Sequence, residues 1–386
     1  MAEKRKPKRR ANGEGTIYPR KDGRWEGAAY VLTADGTFKR IRKYGKTREE
    51  VHEKLVQAQQ KSATGVPVAN KPWKLGEYLD YWLENIVKPS KRWNTYKKYE
   101  QTVRLYLKPG LGKQRLDRLR VAKVQTFLNQ QIAAGHSVAK VHIMRMVLGA
   151  ALTRAQREEL ISINAARLAT LPPPPSKKVK PWTAEEARAF LAAARKSPLY
   201  PAFVLMLTYG LRRGEVLGLG WDDTDMDALE MRVRWQLQRI NGSLQRVPVK
   251  TDAANRDLPL LPIAWEALIA RADQQGAARR LAGEAWQESD LIFTTRTGRP
   301  IEPRNLARAF ERITDDANLR RIRLHDLRHT TASLLKKLGV PPSDAKEILG
   351  HARVSVTLEI YTHGDNEDHR TGLGKVAGEL FGTAES

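Results

Sequence analysis

The sequence predicts a multidomain chain: a small three-stranded β-sheet plus helix at the N-terminus, an all-α segment, and a mainly α C-terminal segment with a small antiparallel sheet. Three observations predict it. At 386 residues the chain is longer than one hydrophobic core usually serves. The apolar period changes along the chain, from strand alternation broken by turn dipeptides to helical spacing. Between the helical stretches lies the run Pro172-Pro173-Pro174-Pro175-Ser176-Lys177-Lys178, extended chain with no core of its own. The division that follows is a basic arm at 1–10, a β-rich domain at 11–65, a helical domain at 72–171, a Pro/Lys-rich linker at 172–180 and a larger domain at 181–386.

Each element has a local reason. Residues 1–10 carry six Lys/Arg and are expected to be disordered. Thr16–Pro19, Trp25–Leu32 and Thr37–Tyr44 are β-type runs separated by Lys21-Asp22-Gly23 and Ala34-Asp35-Gly36, which is turn chemistry and gives an antiparallel meander. Thr47-Arg48-Glu49-Glu50 is a capping box that starts a helix with Val51, Leu55 and Ala58 on one face. From 72 to 171, Leu75, Tyr78, Leu79, Trp82, Leu83 and Ile86 recur at helical spacing. Asn94/Thr95 are expected to cap a second helix that ends before Pro109. A third spans Val121–Ala133, and Ser137 caps a long fourth through Val141, Leu148 and Leu152. Past the linker, Thr183-Ala184-Glu185-Glu186 is another capping box, ahead of a stripe of Ala187, Phe190, Leu191 and Ala194. Met231, Val233, Trp235 and Leu237 alternate with polar residues as one half-buried strand. Asn241-Gly242 signals a hairpin into Leu244–Lys250, and Arg256–Leu260 follows.

Charge bounds the function. Lys+Arg number 68 against 43 Asp+Glu, a net +25, and the first 175 residues hold +21 of it. A polyanion, DNA or RNA, is the partner this implies; a ribosome-associated or merely basic protein is the plainer alternative. The charge is spread over folded-looking segments rather than one amphipathic helix, which argues against a membrane-surface role. No cysteine is present, which excludes disulfide frameworks, thiolate metal sites and cysteine nucleophiles. No apolar run approaches the roughly 20 residues that span a bilayer, and MAEKRKPKRR is not a secretory signal. Arg20, Arg24, Lys39, Arg40 and Arg42 on the strands fit a major groove, which admits a two-stranded ribbon; solvated strand faces are the alternative. Lys91, Arg92, Lys97 and Lys98 in the helical domain fit phosphate contacts.

Four stretches of the last domain concentrate reactive side chains. In Thr208-Tyr209-Gly210-Leu211-Arg212-Arg213-Gly214-Glu215 an apolar helix breaks at Gly210 and restarts with arginine, which is electrostatically poor unless an anion sits there. Glu215 can buttress Arg212. Lys250 precedes the turn Thr251–Asn255. In Leu324-His325-Asp326-Leu327-Arg328-His329-Thr330, His325 and Arg328 share a helix face. A zinc pair of His325 and His329 is disfavoured, because Asp326 stands where the metalloprotease pattern needs Glu and cationic Arg328 lies on the same face. In Leu349-Gly350-His351-Ala352-Arg353-Val354-Ser355, Ser355 is expected as an N-cap, which puts Tyr361 in the second turn of a short helix. Each stretch alone has a bland reading as paired or packed helix residues. Together they hold what phosphoryl transfer from a phosphodiester to a hydroxyl nucleophile requires. Tyrosine has a free pKa of about 10 and needs cations to stabilise its phenolate. The phosphorane needs bidentate arginines on its equatorial oxygens.

The ordered strings TYGLRRGEVLGLGW, VKTDAANRDLPL, LHDLRHTTASLL and LGHARVSVTLEIYTH resemble the tyrosine recombinases, the phage integrase family, over most of 181–363. Residues 72–171 look like that family's helical core-binding domain and 11–65 like its three-stranded arm-binding domain. The resemblance implies a site-specific recombinase that integrates a mobile element and, with a helper, excises it. It implies that Tyr361 attacks the scissile phosphate to form a 3′-phosphotyrosyl link and that Arg212 and Arg328 hold the non-bridging oxygens. Lys250 is then the general acid toward the 5′-hydroxyl, His325 takes or shares the tyrosine proton, and His351 hydrogen-bonds the phosphate. Glu215 positions Arg212. No metal, ATP or other cofactor is implied. The implied partners are core-type and arm-type attachment sites in double-stranded DNA, three further copies in a homotetramer, an excisionase and a host DNA-bending protein, all in the cytoplasm at the nucleoid. A short terminal helix over Gly372–Phe381 would dock on a neighbouring subunit. Two alternatives stand beside this: a type IB topoisomerase-like nicking and closing activity, and a DNA-binding regulator that has lost catalysis.

Overall fold

The computed structural model describes residues 15–32, 38–63, 73–174 and 180–361. The basic arm, most of the linker, the turn at 33–37 and the proposed terminal helix lie outside the described residues. The chain forms two compact units, 1–176 and 177–386.

Strands β1 (Thr16–Pro19), β2 (Trp25–Leu32) and β3 (Phe38–Gly45) form an antiparallel sheet in the order β1-β2-β3. The spans match the sequence reading except that β3 ends one residue later; its expected start, Thr37, lies outside the described residues. Alternation decides the two faces. Ala29 and Val31 on β2 are buried on the side of helix α1 (Arg48–Ala63), whose Val51 and Leu55 complete that core. Gly27 lies on the same side because a Cβ there would stand 2.5 Å from Val51 Cγ1. The opposite parity leaves Tyr18, Tyr30, Phe38 and Tyr44 with 41–67% of their surface exposed. Thr47 Oγ1 accepts from the Glu50 N–H at 3.2 Å, and the Glu50 carboxylate accepts from the Lys46 N–H at 2.7 Å, so the helix start is capped as the sequence predicts.

Residues 73–174 are helical: α2 (Leu75–Trp82), α3 (Lys88–Ser90), α4 (Trp93–Thr102), α5 (Lys108–Leu111), α6 (Val121–Ala133), α7 (Val138–Arg157) and α8 (Ala165–Leu168). Two details differ from expectation. The second long helix starts at Trp93 with Arg92 as its N-cap, ahead of Asn94/Thr95. It also does not stop before Pro109. Instead, π turns at Leu83–Val87 and Val103–Leu107 carry the chain into α3 and α5. Pro89 and Pro109 supply the reason. Each lacks an N–H, and in a regular α-helix its ring would press on the carbonyl four residues back. The wider turn relieves this, and the Lys88 and Lys108 N–H groups donate to Leu83 O and Val103 O, five residues back. Ser137 caps α7, its hydroxyl accepting from the Lys140 N–H at 3.3 Å. Leu79, Leu107, Leu128, Val141, Leu148 and Leu152 are fully buried in one core.

The second unit is built on α9 (Ala184–Ala194), α10 (Tyr200–Tyr209), α11 (Arg213–Gly218), α12 (Pro262–Ala282), α13 (Pro303–Asp316), α14 (Asp326–Lys337), α15 (Pro342–Leu349) and α16 (Val354–Tyr361). Trp182, Phe190, Phe203 and Phe310 pack ring on ring at its centre. Thr183 and Glu186 exchange both bonds of the capping box before α9. The single strand expected through 231–237 is two strands in two sheets. β5 (Glu230–Val233) lies between β4 (Thr224–Asp225) and β8 (Arg256–Pro259), whereas β6 (Trp235–Ile240) pairs with β7 (Ser243–Pro248). The partner changes at Arg234, whose carbonyl accepts from the Val249 N–H at 3.0 Å and whose guanidinium meets Asp257 at 2.5 Å. The ribbon ends at Pro248, short of the expected Lys250. Helix α16 begins at Val354, so Ser355 lies inside its first turn rather than capping it, and Tyr361 is its last residue.

Candidate active site

The site is assembled where four chain breaks meet. Helix α10 ends at Gly210, whose φ of +62° turns the chain; a Cβ there would also stand 2.4 Å from Leu349 Cδ2. The Gly210 carbonyl accepts from Arg328 Nη1 at 2.8 Å. Two residues on, Arg212 caps α11. Its backbone N–H donates to Glu215 Oε2 at 3.0 Å, its Nη1 to Oε1 at 2.6 Å and its Nη2 to Gly350 O at 3.0 Å. Glu215 is 3% exposed. Burial alone would raise its pKa, but the charges of Arg256 and Arg212 and the Arg212 hydrogen bonds hold it below the usual carboxylate range. The predicted Glu215–Arg212 pairing is therefore present.

Arg328, on the first turn of α14, is 4% exposed. Its Nη2 is buried without a hydrogen-bond partner. Burial first, then the Arg212 charge, pushes its pKa down to about 9, so it is still a cation at pH 7. His325 is the N-cap residue of the same helix; burial, then His329 and Arg328, lowers its pKa, which leaves a neutral imidazole at pH 7. The His325 and His329 rings meet edge to face at 5.7 Å. Asp326 is engaged by Arg323 at 2.8 Å, and among the described residues no group of three or more potential metal ligands exists. His351 is buried beside Gly350 with Nδ1 2.9 Å from Thr357 Oγ1. Burial and the charges of Arg328 and Arg212 push it down to about 4. These side chains, from residues 212, 215, 325, 328 and 351, form one cationic cluster.

Two predicted residues stand apart from it. Lys250 is exposed between the end of β7 and the 3₁₀ turn Asp252–Ala254. Tyr361 donates its hydroxyl to Val340 O at 3.0 Å, and its pKa is raised by burial and then by the Asp344 charge.

One residue was missed by sequence reasoning. Arg256, 9% exposed, donates from Nε to Ile348 O at 2.8 Å, from Nη1 to Ala254 O at 3.0 Å and from Nη2 to Glu215 Oε2 at 3.3 Å. The signal was available. Arg256 shares the inward phase of β8 with Leu258, and a charge on a buried phase needs a partner.

The expected DNA-contacting residues divide by position. Arg40 and Arg42 pair across the ladder with Tyr30 and Ala28 on the face that α1 leaves open, whereas Lys39 pairs with Val31 and lies on the α1 side. Glu26 sits on the open face, 3% exposed, accepting from Tyr18 Oη at 2.7 Å and Arg20 Nη1 at 2.8 Å, with Arg42 at 3.5 Å. The Tyr18 bond, then the arginines, hold its carboxyl below the usual range. Arg24 is exposed in the β1–β2 turn, where its backbone N–H donates to Asp22. In the helical part Lys91, Arg92, Lys97 and Lys98 are all exposed, and Lys97 lies 5.1 Å over the Trp93 ring.

Residues 181–368 match the family model for the phage integrase family, and residues 74–131 match the phage integrase N-terminal SAM-like domain. An integrase from Saccharopolyspora erythraea is 27% identical, the alignment covering 90% of this chain and 92% of the relative. The ICEBs1 integrase of Bacillus subtilis (strain 168) is 26% identical over 70% of this chain and 74% of its own length. Among solved structures, the Tn1549 transposon integrase in complex with a circular intermediate DNA superposes with a TM-score of 0.68 at 19% identity, covering 79% of this chain and all of that one. A lambda integrase tetramer bound to a Holliday junction gives a TM-score of 0.53 at 18% identity over 92% of this chain and 98% of that one. At these identities the structural likeness speaks for the fold.

Proposed function

Because the chain belongs to the phage integrase family of tyrosine recombinases and is a tyrosine-type recombinase acting on DNA, we propose that it integrates a mobile element at a specific site, and with a helper excises it, by way of a 3′-phosphotyrosyl intermediate. The observation that carries this reading is the buried donor of Arg328. Arg212 and Arg256 bond one carboxylate, Glu215, whose charge also reaches Arg328, and Nη2 of Arg328 has no partner among the described residues. A buried unsatisfied donor costs about 1–3 kcal/mol, a cost that a bound phosphate oxygen removes.

The chemistry then follows from the positions. Arg212 and Arg328 hold the non-bridging oxygens and neutralise charge developing on the phosphorane. His325, neutral at pH 7, accepts the Tyr361 proton as the phenolic oxygen bonds to phosphorus. Lys250 delivers a proton to the departing 5′-oxygen, and His351 hydrogen-bonds the phosphate. The new phosphodiester keeps the energy of the old one, so rejoining needs neither metal nor nucleotide. Residues 181–386 are the catalytic domain in this reading. The helical region 72–171 binds core-type sites and 11–65 binds arm-type sites, reached through the linker at 172–180. The working unit is a homotetramer on two duplexes, assisted by an excisionase and a host DNA-bending protein, at the nucleoid in the cytoplasm.

The test is a nicked attachment-site duplex incubated with protein in EDTA and resolved on a denaturing gel. Wild type traps a covalent protein–DNA adduct, and Y361F traps none. No adduct from wild type on a verified site refutes the reading, and an adduct in Y361F moves the nucleophile elsewhere.

A further inference from the structure

We infer that Arg256 is a positioning residue that sets the lysine-bearing loop against the phosphate-binding arginines. The inference rests on the recombinase reading above. Arg256 is the one described side chain that bonds three separate parts of the site. Nη1 holds Ala254 O, the last residue of the 3₁₀ turn that follows Lys250 and Thr251. Nη2 holds Glu215 Oε2, the same oxygen that accepts the Arg212 backbone N–H. Nε holds Ile348 O near the C-terminus of α15, two residues before the Gly350 carbonyl that accepts from Arg212. The guanidinium is also packed from one side. Gly350, at φ +65°, lies so close that a Cβ would stand 2.7 Å from Arg256 Nη1 and 2.9 Å from Ala253 O.

Physical chemistry argues that this arrangement serves alignment. The cluster already carries Arg212 and Arg328, so a further guanidinium buried here is disfavoured by burial and by its like-charged neighbour, with Glu215 the charge that opposes this. An apolar side chain of similar volume often stabilises such a position better than a buried charge does. What an apolar side chain cannot do is bond a loop carbonyl, a carboxylate and a helix-end carbonyl at once, in the fixed fork that only arginine offers. Lys250 itself is exposed and reaches its place through the backbone of this loop. The ribbon ahead of it is stapled separately: Arg246 Nε donates to Gly218 O at 2.9 Å and Nη1 to Asp290 at 3.0 Å. Arg256 thus sets the far end of the segment that Arg246 sets at the near end.

The test uses a leaving group that needs no proton. Wild type, K250A, R256M and R256K are compared on a nicked attachment-site duplex with either an ordinary scissile phosphodiester or a 5′-bridging phosphorothiolate, whose thiolate departs unprotonated. R256M and R256K are expected to cleave the oxygen ester about 10²-fold more slowly, the scale of a misplaced reacting group. Both return to within a few-fold of wild type on the phosphorothiolate, as K250A does, while thermal melting stays near wild type. Equal slowing on both substrates overturns the proposal, since the defect would then lie in phosphate binding; so do wild-type rates on both. A wild type that forms no adduct on either substrate, or a K250A that the sulfur does not rescue, refutes the underlying reading instead, and the role assigned to Arg256 falls with it.

Discussion

Arg328 and His351 share one burial problem and solve it differently. The arginine stays charged with a donor left over. The histidine gives up its proton, because burial and the neighbouring guanidiniums disfavour a further cation. That choice has a stability signature. The unfolded chain takes up a proton at His351 near pH 6.5, the folded protein only near pH 4. Between those values the unfolded state binds more protons, so stability is complete above about pH 6.5 and falls as the pH drops toward 4. In H351N, urea unfolding between pH 7 and 4.5 should show a smaller loss, by up to roughly 2 kcal/mol. Equal losses in both proteins would mean the folded histidine titrates normally. At this scale the sequence was largely legible. Arg212, Glu215, His325, Arg328 and His351 were named from local strings, and the structure brings them together. Arg256 was not: its inward phase on β8 was readable, but its partners at 215, 254 and 348 are remote in sequence or backbone atoms, and backbone carbonyls leave no mark on the sequence.

Helices and strands were read well where one local signal decided them, such as the capping boxes at Thr47 and Thr183 and the αL break at Gly210. They were misread where tertiary pairing overrode the pattern. The run 231–237 keeps its alternation but changes sheets at Arg234, which no period count reveals. The π turns ahead of Pro89 and Pro109 are a second case: Pro109 reads as a stop, yet the widened turn lets the chain continue. The continuation after Pro109 has a packing requirement of its own. A Cβ on Gly110 would stand 2.3 Å from Cε2 of the buried Phe127 ring. G110A should therefore cost about 1–3 kcal/mol, seen as a lower urea midpoint with an unchanged m-value. An unchanged midpoint would show that the ring has room to yield.

For the whole molecule, the placement of charge matters more than its total. The first 175 residues hold most of the net +25, but on the open face of the N-terminal sheet Arg20 and Arg42 are already paired with Glu26. Paired arginines release fewer counterions on meeting DNA than free ones. E26Q should tighten non-specific duplex binding and steepen the dependence of log K on log salt by about 1–2 units, measured by fluorescence anisotropy over a salt series. An unaltered slope would place those arginines off the duplex. The other feature with molecular reach is the hydrogen bond from Tyr361 to the Val340 carbonyl. In the mechanism proposed above, a solitary copy on DNA leaves both strands whole, since the hydroxyl assigned as nucleophile is occupied with its own backbone. On that same proposal breakage waits on companions that shift the last helix, and its rate then climbs more steeply than the protein concentration.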